Sequence, residues 1–347
     1  MISRVVVLDL VAGRPAAALL VDGRLEDLAV DPAGDTALPR AIYRAVADRP
    51  MKGMGGLFVK LPEGSGFLRQ TAGIAPGQRL LVQVTGPAEP GKAIPVTTRL
   101  LFKSRYAIVT PGAPGLNISR RIKDEDLRSG LEALAGAGMS GLPEDLGLIL
   151  RSACAGAEDD AIAEDIAAMR DLALTVLADL DGGPELLVEG ASAQETAWRD
   201  WADPEPDEVV EGGFEHLGVL DMIDALLAAR VDLLGGGHMM IEPTRALVAV
   251  DVNTGPDTTP GASLKVNIVA ARDLARQLRL RGLGGQVVVD FAPMPKKDRA
   301  ILDQVIRAAF KGEAETNLAG WTTLGLFEMT RKRDRLPLAE VLAGGEA

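Results

Sequence analysis

The chain has one cysteine, Cys154, in 347 residues, so neither an internal disulfide nor a multi-cysteine metal site can form. A reducing, cytoplasmic setting is the expectation, with Cys154 as a small buried hydrophobe. Histidine is nearly as scarce: His216 and His238 show no metal-ligand spacing and read as satisfied or exposed side chains. Aromatic residues make up 3%, which limits any extended stacking surface. No apolar run approaches the roughly 20 residues that span a bilayer. The N-terminal run from Val5 to Leu10 is interrupted by Asp9 and is too short for a signal peptide, so no membrane association is expected. Positive charge is in deficit overall, with a net charge of −12. The deficit is uneven: from Ala228 onward there are 16 Lys and Arg against 14 Asp and Glu, whereas the rest carries 21 against 35. The acidity therefore predicts weak non-specific nucleic-acid binding without excluding a polyanionic ligand.

What is present suffices for two or three domains with a buried core, at 47% hydrophobic and 25% charged residues. Residues 3–10 and 17–22 read as a hairpin turning at Ala12-Gly13-Arg14-Pro15. Short β-rich segments broken by Gly and Pro from about Leu38 to Leu101 suggest a small barrel. Residues 105–180 form an α+β unit, with strands in AIVTP and LGLILRS and helical patterns over 123–136 and 158–178. The stretch 180–214 is the least patterned, with an acidic linker from Asp203. Beyond it, HMMIEPTRALVAVDVN reads as two strands, Ala262 to Arg281 as a helix stopped by Gly282, Gly284 and Gly285, and QVVVDF as a buried strand. This is a β-α-β crossover, which predicts parallel strands.

Alternate residues of a strand share a face, so Asp251 and Asn253 point the same way at the carboxyl end of their strand. Asp290 occupies the matching end of the next, where open α/β sheets bind ligands. Two carboxylates there repel unless a cation or a proton lies between them. All-oxygen donors in small number favour Mg²⁺, and with it phosphate chemistry; capping of a following loop is the plainer reading of either residue alone. On the crossover helix, Lys265, Arg272, Arg276 and Arg279 share a flank that is either solvated or receives a nucleic-acid backbone. Arg151 closes an apolar strand, where an ion pair is the simple reading.

The runs GGHMMIEPTRALVAVDVNTG, ARQLRLRGLGGQVVVDFAPM and GLFEMTRKR, in that order, resemble the catalytic domain of the RNase E/G endoribonucleases. GLNISRRIKDEDLRSGLEAL and LPEDLGLILRSA resemble the same family's 5′-sensing domain. The resemblance implies an α/β multidomain protein with a DNase I-like catalytic domain and RNase H-like, OB-type and 5′-sensor subdomains. Its boundaries would be 1–37 and 181–226 for the RNase H-like parts, 38–103 for the OB-type RNA-binding insert, 104–180 for the 5′ sensor and 227–347 for the catalytic domain. It further implies a Mg²⁺-dependent endonuclease that cleaves single-stranded RNA in RNA processing or decay, rRNA included, and favours 5′-monophosphorylated ends. By that resemblance Asp251 and Asp290 are the metal-binding aspartates and Asn253 orients the pair. Arg151 and Ser152 take the 5′-phosphate, with serine where threonine is usual. Phe58, Phe67 and Lys92 contact RNA in the insert. The cysteine pair of the family's zinc link is missing, so a monomer or dimer is expected in place of a zinc-linked tetramer. GEAETNLAGW lacks the basic residues usual at that place. The competing reading is a non-catalytic RNA-binding or rRNA-maturation factor of the same fold; a metal-dependent phosphodiesterase on another nucleotide is a third.

Overall fold

The computed structural model describes residues 3–34, 36–51, 55–69, 73–89, 91–257, 259, 261–313 and 315–344. The chain divides into two units, one of residues 1–6 and 34–209 and one of residues 7–33 and 210–347.

The first unit holds a five-stranded barrel. Strands Ile42–Met51, Gly56–Leu61, Gly64–Leu68, Ile94–Thr97 and Arg79–Val84 follow one another around it, and the last pairs back onto the first. Tyr43, Ala45, Leu57, Val59, Leu68 and Val82 fill its interior. This is the small OB-like barrel anticipated for the β-rich segment. A second sheet of the unit orders Gly115–Ile118, Leu146–Leu150, Ala107–Pro111 and Phe102–Lys103. Helices Glu125–Gly138 and Asp159–Ala178 contribute Leu131, Ala135, Ile162 and Ile166 to its core. Asp124 caps the first of them by accepting from the Asp126 and Leu127 N–H groups.

The stretch 180–214, read as the least patterned, is structured. Glu185–Val188 pairs antiparallel with Ile42–Met51, Ala193–Asp200 is helical, and Glu208–Glu211 is a strand. The helix carries a capping box between Ser192 and Glu195. These elements are only four to eight residues long. Their hydrophobic periodicity is too short to stand out in sequence.

In the second unit, hairpin turns at Ala12-Gly13 and Asp22-Gly23 have both central residues at positive φ, the geometry that matches the twist of the flanking strands. The first turn is thus two residues shorter than anticipated, with Arg14 and Pro15 already in the strand Arg14–Val21. The main sheet has six strands in the order Arg230–Asp232, His238–Pro243, Val248–Asn253, Gly285–Asp290, Phe327–Arg331 and Thr316–Trp321. Val248–Asn253 and Gly285–Asp290 are parallel, as the crossover requires. Val248, Val250, Val252, Val287 and Val289 are buried with Ala271, Leu274 and Leu278 of the crossover helix Ala262–Leu280 and with Leu302 and Ile306 of helix Arg299–Ala309. The crossover helix ends in a Schellman motif: Gly282, at φ +64°, donates to the Arg279 carbonyl and Leu283 to that of Leu278.

The basic flank of that helix corrects one expectation. Arg276 donates to Asp273 and to the Leu25 carbonyl, and Arg279 pairs with Glu26 and Glu313. Two of its four cations are therefore spent on the unit's own hairpin and loop instead of standing ready for a nucleic-acid backbone. Beside them Arg335 grips Asp27 with two hydrogen bonds, 2.5 and 3.1 Å. Burial pushes the Asp27 carboxyl up, but Arg335 and Arg279 outweigh it and hold it below the usual range. A carboxyl depressed in the folded state stabilises above its unfolded pKa of about 3.9, and that stability is lost as pH falls. We therefore expect the melting temperature to drop steeply as pH falls below about 4, and Asp27→Asn to flatten that dependence while lowering stability at pH 7. Thermal melts between pH 7 and 2.5 check this.

No helix among the described residues is long and apolar enough to cross a membrane.

Candidate active site

Every second residue of the Val248–Asn253 strand faces the helices, and the intervening ones face the other way. Valines occupy the covered positions; Ala249, Asp251 and Asn253 occupy the open ones. The same alternation in Gly285–Asp290 leaves Asp290 exposed beside the buried Val289. Asp251 and Asp290 are direct register partners across the parallel pair. Neighbouring strands lie about 4.8 Å apart, so the two carboxylates rise side by side from one face. Asn253 donates from Nδ2 to Asp251 Oδ2 at 2.7 Å, which fixes the rotamer of that carboxylate.

Two further features hold this arrangement, and only one of them leaves a mark in the sequence. Asn267, fully buried on the crossover helix, donates to the Ala292 carbonyl and accepts from the Ala292 N–H, both at 2.9 Å. It pins the backbone two residues after Asp290. Gly237 sits where a Cβ would lie 2.3 Å from Val266 and 2.7 Å from the Asn253 carbonyl oxygen, so the glycine loop can close against the end of the Asp251 strand. Tandem glycines signal such an approach, whereas an asparagine on a helix resembles any polar position. His238 is the register partner of Asn253 on the neighbouring antiparallel strand. It therefore belongs to this face, although no ligand spacing marks it.

Among the described residues no group of three or more His, Cys, Asp or Glu could hold a metal. A pair of exposed carboxylates suits a hard cation that keeps most of its waters, which is the habit of Mg²⁺ at phosphate sites. The donor set thus fits the expected ion.

In the first unit Arg151 is far more than a surface ion pair. Nη1 donates to the carbonyls of Ser104 at 2.5 Å, Arg105 at 3.1 Å and Arg199 at 2.8 Å, and Nη2 to Asp200 at 3.0 Å. Burial lowers its pKa, and Asp200 opposes the shift. No bond engages Nε among the described residues. Ser152 follows it at the start of a short 3₁₀ turn, its hydroxyl 3.4 Å from Arg121 Nη1, and Arg121 pairs with Asp203 at 2.9 Å. Cys154, at the same turn, is buried, and burial pushes its thiol up to about 11. It is the inert side chain anticipated.

On the barrel, Phe58 and Phe67 are cross-strand partners with ring centroids 5.5 Å apart, and Arg49 lies 5.4 Å above the Phe58 ring. Both rings are half-buried and alternate with the interior residues. A Cβ at Gly56 would stand 2.2 Å from the Phe67 ring, so that glycine is what lets the aromatic lie flat across the strand. Lys92 is exposed and pairs with Glu89 at 2.6 Å.

Residues 102–213 and 211–334 match the Ribonuclease E/G family. The chain belongs to that family. It is 31% identical to Ribonuclease E of Nostoc sp. over 84% of this chain and 51% of that protein. Against Ribonuclease E of Synechocystis sp. the identity is 30%, over 86% of this chain and 53% of the relative. Against Ribonuclease G of Escherichia coli K12 it is 31%, over 77% and 62%. The chain thus spans about half to three fifths of the curated relatives it matches. Asp251, Asn253, Asp290, Arg151 and Ser152 all fall within the matched residues; Phe58, Phe67 and Lys92 precede them.

Proposed function

We propose that this member of the Ribonuclease E/G family is a Mg²⁺-dependent endoribonuclease that cleaves single-stranded RNA and favours 5′-monophosphorylated ends. The observation that carries the reading is the register pairing of Asp251 with Asp290 on an open sheet face. A binding module gains nothing from two adjacent like charges, which raise the free energy of the empty site.

Asp251 and Asp290 would hold the ion, and Asn253 keeps the Asp251 carboxylate turned to the position where it serves. Bound Mg²⁺ would supply charge stabilisation at the scissile phosphate and a polarised water. The rest falls to the chain. The carboxylates stand at the carboxyl ends of their strands, where the phosphodiester can reach them with no side chain of the core in between. Phe58 and Phe67 offer two rings to successive bases, a contact indifferent to sequence. At Arg151 the Nη1 group is saturated by carbonyls, which leaves Nε and the remaining Nη2 hydrogen for a terminal phosphate, with the Ser152 hydroxyl beside it.

The test is a 5′-monophosphorylated, single-stranded oligoribonucleotide incubated with the purified chain in Mg²⁺ or in EDTA, followed by analysis of the product ends. Internal cleavage in Mg²⁺ alone, leaving 5′-phosphate and 3′-hydroxyl termini, is expected. Intact substrate under both conditions refutes the proposal. For 5′-end preference, Arg151→Ala should bring the ratio of kcat/KM for 5′-phosphate over 5′-hydroxyl substrate to about one while sparing the 5′-hydroxyl reaction. A ratio unchanged from the parent would place the phosphate elsewhere.

A further inference from the structure

Within the first unit a cleft of about 360 Å³ opens between the barrel, the second sheet and the helix Ala193–Asp200. Its apolar lining comes from the half-buried Met169 and Leu172, with Ile42 and Phe102 only 1% and 2% exposed; Arg40, Lys103 and Arg199 line it too. Concave, mainly apolar sites with a few convergent charges are the usual form of small-molecule pockets, and the volume lies within their range.

The cationic side is built rather than incidental. Lys103 and Arg199 both pair with Asp200, which also takes Arg151, so a single carboxylate answers three cations. Burial raises that carboxyl, yet Arg199 and Lys103 overcome this and hold it well below the ordinary range. Burial, with the charge of Arg40, pushes Lys103 down to about 8. Arg40 has a left-handed backbone, φ +75°, although it is not glycine. That conformation is kept by the buried Gln83, whose Nε2 donates to the Arg40 carbonyl at 3.0 Å, and by the Arg40 N–H on the Val84 carbonyl at 2.8 Å. Strain of this kind persists where surroundings impose it, commonly at ligand sites. Two carboxylates also line the cleft: Glu195 accepts from the Ser192 N–H, and Glu189 is exposed. Trp198, 56% exposed, contributes to the lining and has the Arg105 guanidinium 5.3 Å from its ring.

From this juxtaposition of apolar lining, three cations and an exposed indole in one cleft, the geometry points to a binding site for a free nucleoside 5′-monophosphate. The phosphate meets Arg40, Lys103 and Arg199, and the base lies against Trp198 and the apolar side chains of Met169 and Leu172. The site is separate from the carboxylate pair, and its test does not depend on cleavage.

Titration calorimetry of the full chain with AMP, adenosine, inorganic phosphate and a 5′-phosphorylated oligoribonucleotide decides the matter. AMP should bind saturably below about 1 mM, with adenosine and phosphate each at least about tenfold weaker, because each keeps only one half of the contacts. Lys103→Met should weaken AMP by at least about tenfold, as expected for a lost charged hydrogen bond. Trp198→Ala, at an exposed position that leaves the fold undisturbed, should weaken it roughly 5- to 150-fold, the worth of one stacked base. No heat with AMP up to about 5 mM, phosphate binding as tightly as AMP, or Trp198→Ala binding as the parent would each overturn the proposal. So would binding confined to the oligoribonucleotide, which would assign the cleft to an RNA end.

Discussion

Asp251→Asn and Asp290→Asn should each reduce kcat/KM for a fluorescent single-stranded oligoribonucleotide in Mg²⁺ by about a thousandfold or more, on the scale of removing one electrostatic stabiliser from a transition state. Both side chains are exposed, so neither substitution opens a cavity or strands a buried group. The amide has the size of the carboxylate but lacks the charge a hard cation demands. Melting temperatures should therefore stay within about 2 °C of the parent, or rise slightly as the repulsion between neighbours is relieved. Loss of cleavage together with loss of fold would mean that the pair is structural. Full cleavage in either variant would remove it from the chemistry altogether. The rival description as a non-catalytic RNA-binding factor predicts the parent itself to be inactive, so the same plate of assays separates the two.

A larger effect on stability is expected at Asn267. Replacing it by alanine leaves the N–H and carbonyl of Ala292 without partners in a place where Ala292 is itself 3% exposed. Each such group costs roughly 1–3 kcal/mol, so a loss of about 2–5 kcal/mol is anticipated, which is on the order of 5–15 °C in melting temperature for a unit of this size. Cleavage should fall too, at temperatures well below the melt, because Ala292 lies two residues beyond Asp290 and its release frees the end of that strand. Calorimetric melts combined with Mg²⁺ titrations of activity distinguish this from simple unfolding: the Mg²⁺ concentration for half-maximal rate should rise while the protein is still folded. If it does not move, the clamp supports the core and not the carboxylate.

The acidic pair could be read from sequence because strand alternation is a short-range property, and three alternating valines in ALVAVDVN mark the buried face within eight residues. The parallel crossover followed from the same logic applied to the helix and its glycine stop. What escaped depends on partners remote in the chain. Arg276 and Arg279 look like a free basic stripe until residues 25 and 26, some 250 positions earlier, are brought against them. Asn267 gives no periodic signal, since the partners of its side-chain amide are the carbonyl and N–H of Ala292, 25 residues on. The cleft beside Trp198 is assembled from residues between 40 and 199, and the helix that supplies Trp198 and Arg199 lies in the least patterned stretch, too short at eight residues to show a clear period.

The division of labour between the two faces of the Val248–Asn253 strand bears on how such a chain tolerates insertions and deletions. Removing one residue from this strand would swing Asp251 into the helices and a valine out to solvent, disrupting the core and the proposed site in one event. Length changes in the connection before Ala262 leave that parity untouched. Among sequences descended from a common ancestor, gaps should accumulate in such connections and be purged from the strand, even where the individual apolar letters have drifted.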